Sequence, residues 1–454
     1  MTYSDLKQYC TRSRVLAQPC TRPMLGTPSR QSHPFKALVL GVALALPFAG
    51  YSTSAFAAEP ESPGSDIASI RNWLIEHNPQ LRALQAEAEA AEAMILPAAA
   101  LPDPMATVEW QGINPAHPNV LPANVGATSY MLEQTFPLWG KRGLSRDVAR
   151  EQARAAGHEH DAAALDLLAN AEDAYVRYWH AREAIVVIDR LIGLLEQVEE
   201  IAGVRYALGL AAQQDAIRAQ VERTAMQRQR LERQALRREA TSTLNALLGR
   251  RADAPLAEPV SPPALVISES TLDSARERIA SGAHPSLQAG SALAAAANRN
   301  VELERRKRLP DITLGVGAMQ MGHRVDSYAL MLEVEIPFQQ RARRGRENAS
   351  RLLEQSALAR TEAVRNELEG RLGAARGRWQ GAREQRELIE QTLLPQSDAN
   401  FQSALASYQV GEVDFATLLE ALREWQGADL ARVDATRDEF LGAAAVRAIS
   451  GDTQ

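Results

Sequence analysis

The sequence of 454 residues contains only two cysteines, Cys10 and Cys20, and both lie before an apolar run near the N-terminus. A mature chain that starts after this run has no cysteine, which excludes disulfides, thiol catalysis and cysteine metal sites. Aromatic residues are also scarce, at 5%, and the net charge is only −6. A mildly acidic chain without a polybasic patch is not expected to bind nucleic acid.

The apolar run itself, Ala37–Gly50, is too short to cross a bilayer as a helix. Basic residues precede it, and small residues follow it at Ala55 and Ala57, which is typical of an export signal and its cleavage site. We predict a signal peptide at residues 1–57, with Met24 as an alternative start. A short membrane anchor is the competing interpretation.

The sequence also lacks a catalytic constellation. The closest histidines, His158 and His160, are two residues apart and do not share one face of a helix. We predict that the chain is not an enzyme and that it needs no cofactor and no resident metal.

Thioethers can bind soft metals such as Cu(I), although strand methionines usually just pack. Five methionines lie on or near the strands predicted below: Met105, Met131, Met319, Met321 and Met331.

Four short segments of the first half recur in the same order about two hundred residues later. The pairs are NPQL at residue 78 and HPSL at 284, LPDP at 101 and LPDI at 309, SYMLEQTFPLWGKRG at 129 and SYALMLEVEIPFQQRARRG at 327, and YALGLAAQQDAI at 206 and YQVGEVDFATLL at 408. Four matches in order indicate an internal duplication. We therefore predict one repeat over residues 58–283 and a second over residues 284–454.

Each repeat is predicted to run helix, strand, strand, long helix, tight turn and shorter helix. Apolar residues spaced three and four apart predict long helices near Gly143–Ala207 and Ala342–Tyr408, each on the order of 100 Å long. Pro395 is expected to bend the second one. Charge on every turn excludes a membrane span, and a fibrous coiled coil is the alternative.

Shorter helices are predicted to return along the long ones. They cover about Asp66–Leu96, Gln213–Leu248, Pro285–Leu309 and Phe415–Ile449, with a proline-rich link after the second. The shorter helices together then match the length of the long helices and run in the opposite direction, as a cylinder of antiparallel helices requires.

Four segments alternate between apolar and polar residues, which predicts strands with two distinct faces. They are MATVEWQGI from Met105, SYMLEQTF from Ser129, ITLGVGAMQ from Ile312 and YALMLEVEIPF from Tyr328. Their length suits a tilted transmembrane strand, and a half-buried sheet in a soluble domain is the alternative. Four strands cannot close a barrel with an open lumen, so the chain must oligomerise. The polar faces are predicted to line that lumen, through Glu109, Glu133, Glu333 and Glu335.

The order of elements, the duplication, LPDP, QTFPLWGKRG and the paired Tyr-x-x-Gly turns resemble the TolC family of outer-membrane efflux channels, over roughly residues 66–451. The resemblance implies a homotrimer whose twelve-stranded barrel takes four strands from each subunit, above a helical tunnel across the periplasm. It also implies docking onto a periplasmic adaptor (membrane fusion) protein and an inner-membrane pump, of RND type. The LPDPM and FPLWGKR segments look most like the branch found with heavy-metal pumps.

The two turns at the end of the tunnel, at Gly209 and Gly411, break otherwise continuous helices. A helical hairpin turn needs only such a glycine. Because the family docks at this end, we predict that the exposed apolar residues Leu208, Leu210 and Val410 contact the adaptor together with these glycines.

The resemblance also implies gate residues at this end. Asp215 and Tyr408 match family positions that bond across hairpins to hold the tunnel shut, and Glu420 lies where the family usually has a lumen-facing acid. Val413 departs from the pattern, because the family prototype carries an arginine of the closing network there.

These observations predict a mainly α-helical chain with a transmembrane β-barrel arc, in which long antiparallel helical hairpins form a tunnel. We expect it in the outer membrane, in contact with lipid, with the tunnel extending into the periplasm. The predicted function is a passive exit duct of a tripartite efflux pump for small molecules or metal ions. The alternatives are the exit channel of a type I protein secretion system and a periplasmic coiled-coil protein without a pore. The sequence does not name the cargo.

Overall fold

The computed structural model describes residues 62–116 and 118–451, so the predicted signal peptide lies outside the described residues. Two long helical segments dominate. Helix α4 covers Lys141–Ala207, and α8, Gln340–Leu388, continues through a π-helical turn, Ile389–Leu393, into α9, Leu394–Val410. At 1.5 Å per residue each segment is on the order of 100 Å long. Both predicted long helices are confirmed.

The remaining helices are shorter. They are α1, Ile67–His77; α2, Pro79–Ala93; α3, Ile95–Ala99; α5, Gln213–Leu247; α6, Glu269–Ser281; α7, Pro285–Arg306; and α10, Phe415–Ser450. Helix α4 packs against α2, α5, α7 and α10, and α8 packs against α7 and α10. The order of elements is similar in both halves, apart from α3 in the first and the π-helical turn in the second. The duplication itself stays a prediction. No helix in residues 62–116 or 118–451 has the length and apolarity needed to cross a membrane.

The first helix differs from the prediction, because it is broken at Asn78 and again at Met94. The Asn78 side chain caps α2 by accepting hydrogen bonds from the main-chain N–H groups of Gln80 and Leu81, at 2.7 and 3.2 Å. Pro79 follows at the first helical position, where its missing N–H is not needed. The cap at Asn78 therefore begins a new helix, although the helical periodicity of the sequence predicted one continuous helix.

The second repeat has an equivalent joint, which the sequence analysis did not predict. Helix α6 precedes it, and His284 caps α7 by accepting a 3.2 Å hydrogen bond from the Ser286 N–H through Nδ1. Pro285 is again the first helical residue. The proline-rich link ends at the Ser268 cap of α6.

A π-helical turn precedes Pro395, where a bend was predicted. The bend itself stays a prediction. Proline has no N–H for the helical ladder, and its ring would clash with the carbonyl group four residues earlier. A wider turn before the proline removes both conflicts while the helix continues.

The strands form one antiparallel sheet in the order β1–β2–β3–β4. Their bounds are Met105–Gln111 for β1, Ala127–Phe136 for β2, Ile312–Met321 for β3 and Arg324–Val334 for β4. The prediction for β4, Tyr328–Phe338, is wrong by four residues at each end. A two-residue turn with Gly322 at φ +60° starts β4 early, and Pro337, which has no N–H, follows its end.

The strand register places the predicted apolar residues on one face. Cross-strand partners on this face include Leu132 with Val316 and Val316 with Leu330. These side chains are exposed in the single chain, and Leu330 is 89% exposed. A contiguous apolar surface of this kind marks contact with lipid or with another protein.

The motifs that carried the family resemblance meet where the sheet joins the helices. Lys141 is buried and its ammonium group lies 2.8 Å from Asp311 and donates a 2.8 Å hydrogen bond to the carbonyl oxygen of Leu309. Trp139 donates to the carbonyl oxygen of Pro310 at 2.7 Å. The FPLWGKR segment of the first repeat is thus fastened to the LPDI segment of the second, which fixes the sheet on the helices.

Candidate functional site

The two turns farthest along the chain from the sheet have the same geometry. Gly209 has φ +73° and Gly411 has φ +86°, values that favour glycine. The N–H of Leu210 donates to the carbonyl oxygen of Arg205 at 2.8 Å, and the N–H of Glu412 donates to that of Ser407 at 2.9 Å. These bonds satisfy the free carbonyl groups at the ends of α4 and α9. We call this end of the molecule the tip.

The predicted docking residues form the apolar surface of the tip. Leu208, Leu210 and Val410 are 68%, 64% and 72% exposed. Beneath them, Phe401, Phe415 and other buried side chains of α4, α5, α9 and α10 form a core. The tip is therefore a packed four-helix structure that presents apolar side chains on two turns.

Arg205 joins the two turns and was not found from the sequence. Its Nη1 donates to the carbonyl oxygens of Tyr408 and Gln409 at 2.7 and 2.8 Å, and its Nη2 donates to that of Leu210 at 3.2 Å. The guanidinium group also lies 5.0 Å from the centre of the Tyr408 ring. A cation from α4 thus caps the negative end of α9, where it is electrostatically favourable.

The position of Arg205 in the sequence could have singled it out. It directly precedes the Tyr of the first Tyr-x-x-Gly turn, whereas the second turn has Ser407 at that place. Gly411 leaves the room that the arginine needs, because a Cβ atom there would lie 3.1 Å from its Nη2. The difference between Arg205 in the first turn and Ser407 in the second therefore shapes the structure of the tip.

The structure brings the two predicted gate residues together within one chain. The Tyr408 hydroxyl group donates to Oδ2 of Asp215, in the first turn of α5, at 3.5 Å. Tyr408 is buried against Phe415, with the ring centres 5.5 Å apart. Burial, and then the charge of Asp215, raise the pKa of Tyr408 above its ordinary value. The hydroxyl group is therefore protonated at neutral pH and able to donate.

The other two residues of the implied gate lie on either side of Phe415. Val413 is half-buried and packs against the tip core, so this position supplies no charge. Glu420 is exposed on α10. One turn later Arg423 pairs with Glu222 of α5, at 2.7 Å. The gating role of Glu420 stays a prediction.

The polar face of the sheet carries three of the four predicted lumen residues. Glu109 pairs with Ser129, Glu133 with Gly315, and Thr313 with Glu333, all on the face opposite the apolar one. Glu335 differs, because it lies one residue past the end of β4 and its carboxylate group is 3.3 Å from Arg343. Its assignment to the lumen stays a prediction.

Part of the chain matches a known protein family. Residues 278–452 match the family model described as outer membrane efflux protein. The resemblance to TolC-family channels is confirmed. No match was found among curated proteins.

Solved outer-membrane proteins share the fold of most of the chain. The outer-membrane channel OprN is 19% identical, with a TM-score of 0.73 over 85% of this chain and 89% of that one. The outer membrane protein VceC from Vibrio cholerae is 18% identical, with a TM-score of 0.72 over 86% and 97%. The CmeC outer membrane channel from Campylobacter jejuni is 16% identical, with a TM-score of 0.70 over 90% and 94%.

The predicted fold class is confirmed by these matches. The efflux family consists of channels and not of enzymes, in agreement with the predicted lack of enzymatic activity. The matched family model is described as outer membrane efflux protein, in agreement with the predicted location of the chain.

Proposed function

We propose that this protein is the outer-membrane exit duct of a tripartite efflux pump, which conducts small molecules or metal ions from the periplasm to the exterior. The observation that carries the proposal is a sheet with one exposed apolar face and one polar face, attached to helical segments on the order of 100 Å long. A sheet of this kind suits a lipid-facing barrel wall with a hydrated lumen. The helices have the length to cross the space below it.

The open edges of the sheet support a homotrimer. Within residues 62–116 and 118–451, strands β1 and β4 each have one neighbour. Unpaired main-chain groups in lipid cost several kcal/mol each, so both edges must be covered. Three copies, with β4 of each subunit beside β1 of the next, close a barrel of twelve strands and leave no edge.

The tip supports docking onto a periplasmic adaptor protein. Leu208, Leu210 and Val410 are too exposed to stabilise the single chain, and an apolar partner surface would remove them from water. The duct has no energy source of its own, so an inner-membrane pump of RND type is the proposed driver. In this arrangement Tyr408 and Asp215 hold the tunnel shut at rest. We also propose the division into residues 58–283 and 284–454 as two repeats of this duct.

Cysteine cross-linking tests the trimer directly. The mature chain has no cysteine, so Thr107→Cys on β1 can be combined in turn with Ser327→Cys, Ala329→Cys and Met331→Cys on β4. Within one chain β1 and β4 are three strand spacings apart, about 14 Å, which is too far for a disulfide. We expect at least one combination to give covalent trimers in the outer membrane, and Thr107→Cys alone to give none.

Two results would count against the proposal. Only monomers from all three combinations would exclude the β1–β4 junction, and with it the closed barrel. Cross-linked trimers that carry no current in a planar bilayer would retain the assembly but exclude the duct.

A further inference from the structure

The ion pair between Lys141 and Asp311 joins two segments that belong to different repeats. Asp311 lies in the LPDI segment just before β3, and Lys141 begins α4 after the end of β2. Because β2 and β3 are neighbours in the sheet, the carboxylate group of Asp311 reaches the ammonium group of Lys141 at 2.8 Å. The same carboxylate group accepts a 2.9 Å hydrogen bond from the Leu138 N–H. We call the contacts of Asp311 with Lys141 and Leu138 the clasp.

The sequence contains both halves of the clasp a second time. Asp103 occupies the same place in LPDP, just before β1, as Asp311 in LPDI. Arg341 occupies the place of Lys141, because FPLWGK at the end of β2 and IPFQQR at the end of β4 align without a gap. Lys141 is the first residue of α4, and Arg341 is the second residue of α8. A second carboxylate group and a second cation therefore lie at equivalent positions of the fold.

These two side chains do not meet within one chain. Asp103 and Arg341 are exposed, and neither has a hydrogen-bond or ion-pair partner in the part of the chain that the structure describes. They lie beside β1 and β4, the two edges of the sheet, which are three strand spacings or about 14 Å apart. The apolar residue next to the cation is also uncovered, since Phe338 is 84% exposed and the equivalent Leu138 is half-buried.

We infer that Asp103 of one subunit forms an ion pair with Arg341 of the next subunit and so completes a second clasp across the subunit junction. The inference rests on the proposed trimer, in which β4 lies beside β1 of the next subunit. That junction repeats the relation between β2 and β3, in which the end of the first strand pairs with the start of the second, as Phe136 does with Ile312. Clasps within subunits and clasps between subunits then alternate around the barrel.

The second clasp would fix the register with which the barrel closes. A slip of β4 against β1 by two residues keeps the apolar face towards lipid, so the pattern of the strands alone does not prevent it. The same slip would move the carboxylate group and the guanidinium group about 7 Å apart. Charge complementarity of this kind contributes to the specificity of a junction more than to its affinity.

Exchange of the two charges tests the pair on the purified protein in detergent. Arg341→Asp and Asp103→Arg each place like charges at the junction, and the double variant restores opposite charges. Each single variant should raise the rate of trimer dissociation by roughly fivefold, because a departing subunit breaks two junctions and an exposed pair is worth about 0.2–1 kcal/mol. The double variant should return most of the way to the parent rate. Native mass spectrometry over time measures the fraction of trimer.

Arg251→Asp is the matched control, because it makes the same change of charge in the link between α5 and α6, where the side chain is 86% exposed. An aspartate in the first turn of α8 is electrostatically favourable, so Arg341→Asp does not weaken the helix itself. If a single variant fails to assemble at all, assembly of the double variant is the rescue that the pair predicts.

Each outcome decides the inference. Rescue in the double variant, with Arg251→Asp equal to the parent, supports the second clasp. Additive losses in the double variant, or parent-like dissociation of both single variants, overturn it. As a separate measure of proximity, Asp103→Cys combined with Arg341→Cys should give covalent trimers with a short bismaleimide, and either cysteine alone should not.

Failure of this inference is distinguishable from failure of the proposed function. Trimers that cross-link through Thr107→Cys and the cysteines on β4, but dissociate at the parent rate after each charge exchange, exclude only the second clasp. A parent protein that forms no trimer in the outer membrane excludes the proposed assembly, whatever the charge variants do.

Discussion

Arg205, in the last turn of α4, donates a 2.7 Å hydrogen bond to the main-chain carbonyl oxygen of Tyr408, near the end of α9. The two residues belong to different helical hairpins, so this contact fixes one tip turn against the other. It also leaves the Tyr408 hydroxyl group free to reach Asp215. The capping bonds of Arg205 therefore hold the main chain at Tyr408, while Asp215 holds the hydroxyl group of the same residue.

Arg205→Ala should loosen the tip without affecting the sheet. Loss of charged hydrogen bonds to the end of α9 should cost about 1–3 kcal/mol per subunit, less where water replaces them. We expect faster amide hydrogen exchange around Gly411 and higher single-channel conductance, with unchanged trimer yield. Arg228→Ala is the matched control, because Arg228 is exposed and its partner among the described residues, Glu232, lies on its own helix. Equal exchange in both variants would show that Arg205 does not hold the turns together.

Tyr408→Phe should raise single-channel conductance by weakening the closed state of the gate. The bond to Asp215 is long, so its loss is worth about 0.5–1.5 kcal/mol per subunit. Asp215→Asn should have a similar effect, and the double variant should add little, since either change already breaks the bond. Additive conductance changes would mean that the two residues act separately. Unchanged conductance in both single variants would place the gate elsewhere, with Glu420 as the next candidate.

Leu332→Arg and Glu333→Arg are adjacent substitutions on opposite faces of β4. An arginine on the lipid face costs about 2–4 kcal/mol near the middle of the bilayer. Leu332→Arg should therefore reduce the yield of detergent-extracted trimer. Glu333→Arg should assemble normally and shift the ion selectivity towards anions, measured as the reversal potential in a salt gradient. Equal trimer yields from the two variants would show that the faces are assigned wrongly.

Val410→Glu should abolish co-purification of the adaptor while the channel still conducts in a bilayer. A carboxylate placed in the apolar surface of the tip would be buried without a partner when the adaptor docks. Val260→Glu is the control, because Val260 is 84% exposed in the link between α5 and α6. Adaptor recovery that is the same for both variants would exclude docking through the tip turns.

His284 should make the joint between α6 and α7 sensitive to pH. Burial, aided by the charges of Arg371 and Arg278 and opposed by Asp166, lowers the pKa of His284 below its ordinary value of 6.5. The folded state therefore favours the neutral ring, whose Nδ1 can accept from the Ser286 N–H. The stabilisation that the neutral His284 ring gives to the folded state is complete above pH about 6.5, the pKa of an unfolded histidine. It is lost as the pH falls through the lower pKa that His284 has in the folded state.

His284→Asn should remove this pH dependence and keep the cap. Asn78 caps the equivalent helix of the first repeat and does not titrate, so asparagine suits the position. Thermal unfolding between pH 7.5 and 5, with hydrogen exchange at residue 286, compares the variant with the parent. The same loss of stability in both proteins on acidification would show that other groups are responsible.

Most of the fold was predicted from local patterns of residues in the sequence. Alternation along Met105–Gln111 and Ile312–Met321 identified both strands and their faces, because a period of two has one interpretation. Helix ends were also readable where a glycine such as Gly209 or Gly411 stops a helix. The break at Asn78 was missed because helical periodicity continues across it, and only the cap distinguishes the two cases.

Contacts between distant segments were harder to predict. The Tyr408–Asp215 pair was expected through the family resemblance and the repeat alignment, since the relative level of two hairpins depends on contacts between them. Arg205 was missed because arginine is common on helices of this chain and its partners are main-chain carbonyl groups. Gly315 and Gly317 were visible as small residues, but the side chains above them follow from the register between β2, β3 and β4.

The two open edges of the sheet also constrain how the protein matures. A chain that has entered the periplasm alone presents two unpaired strands and an apolar face to water, a combination that favours aggregation. The helical bundle has its own core and does not need partners, so it can fold first. In the proposed trimer, closure of the barrel needs three chains at one place in the membrane, so its stability depends on subunit concentration.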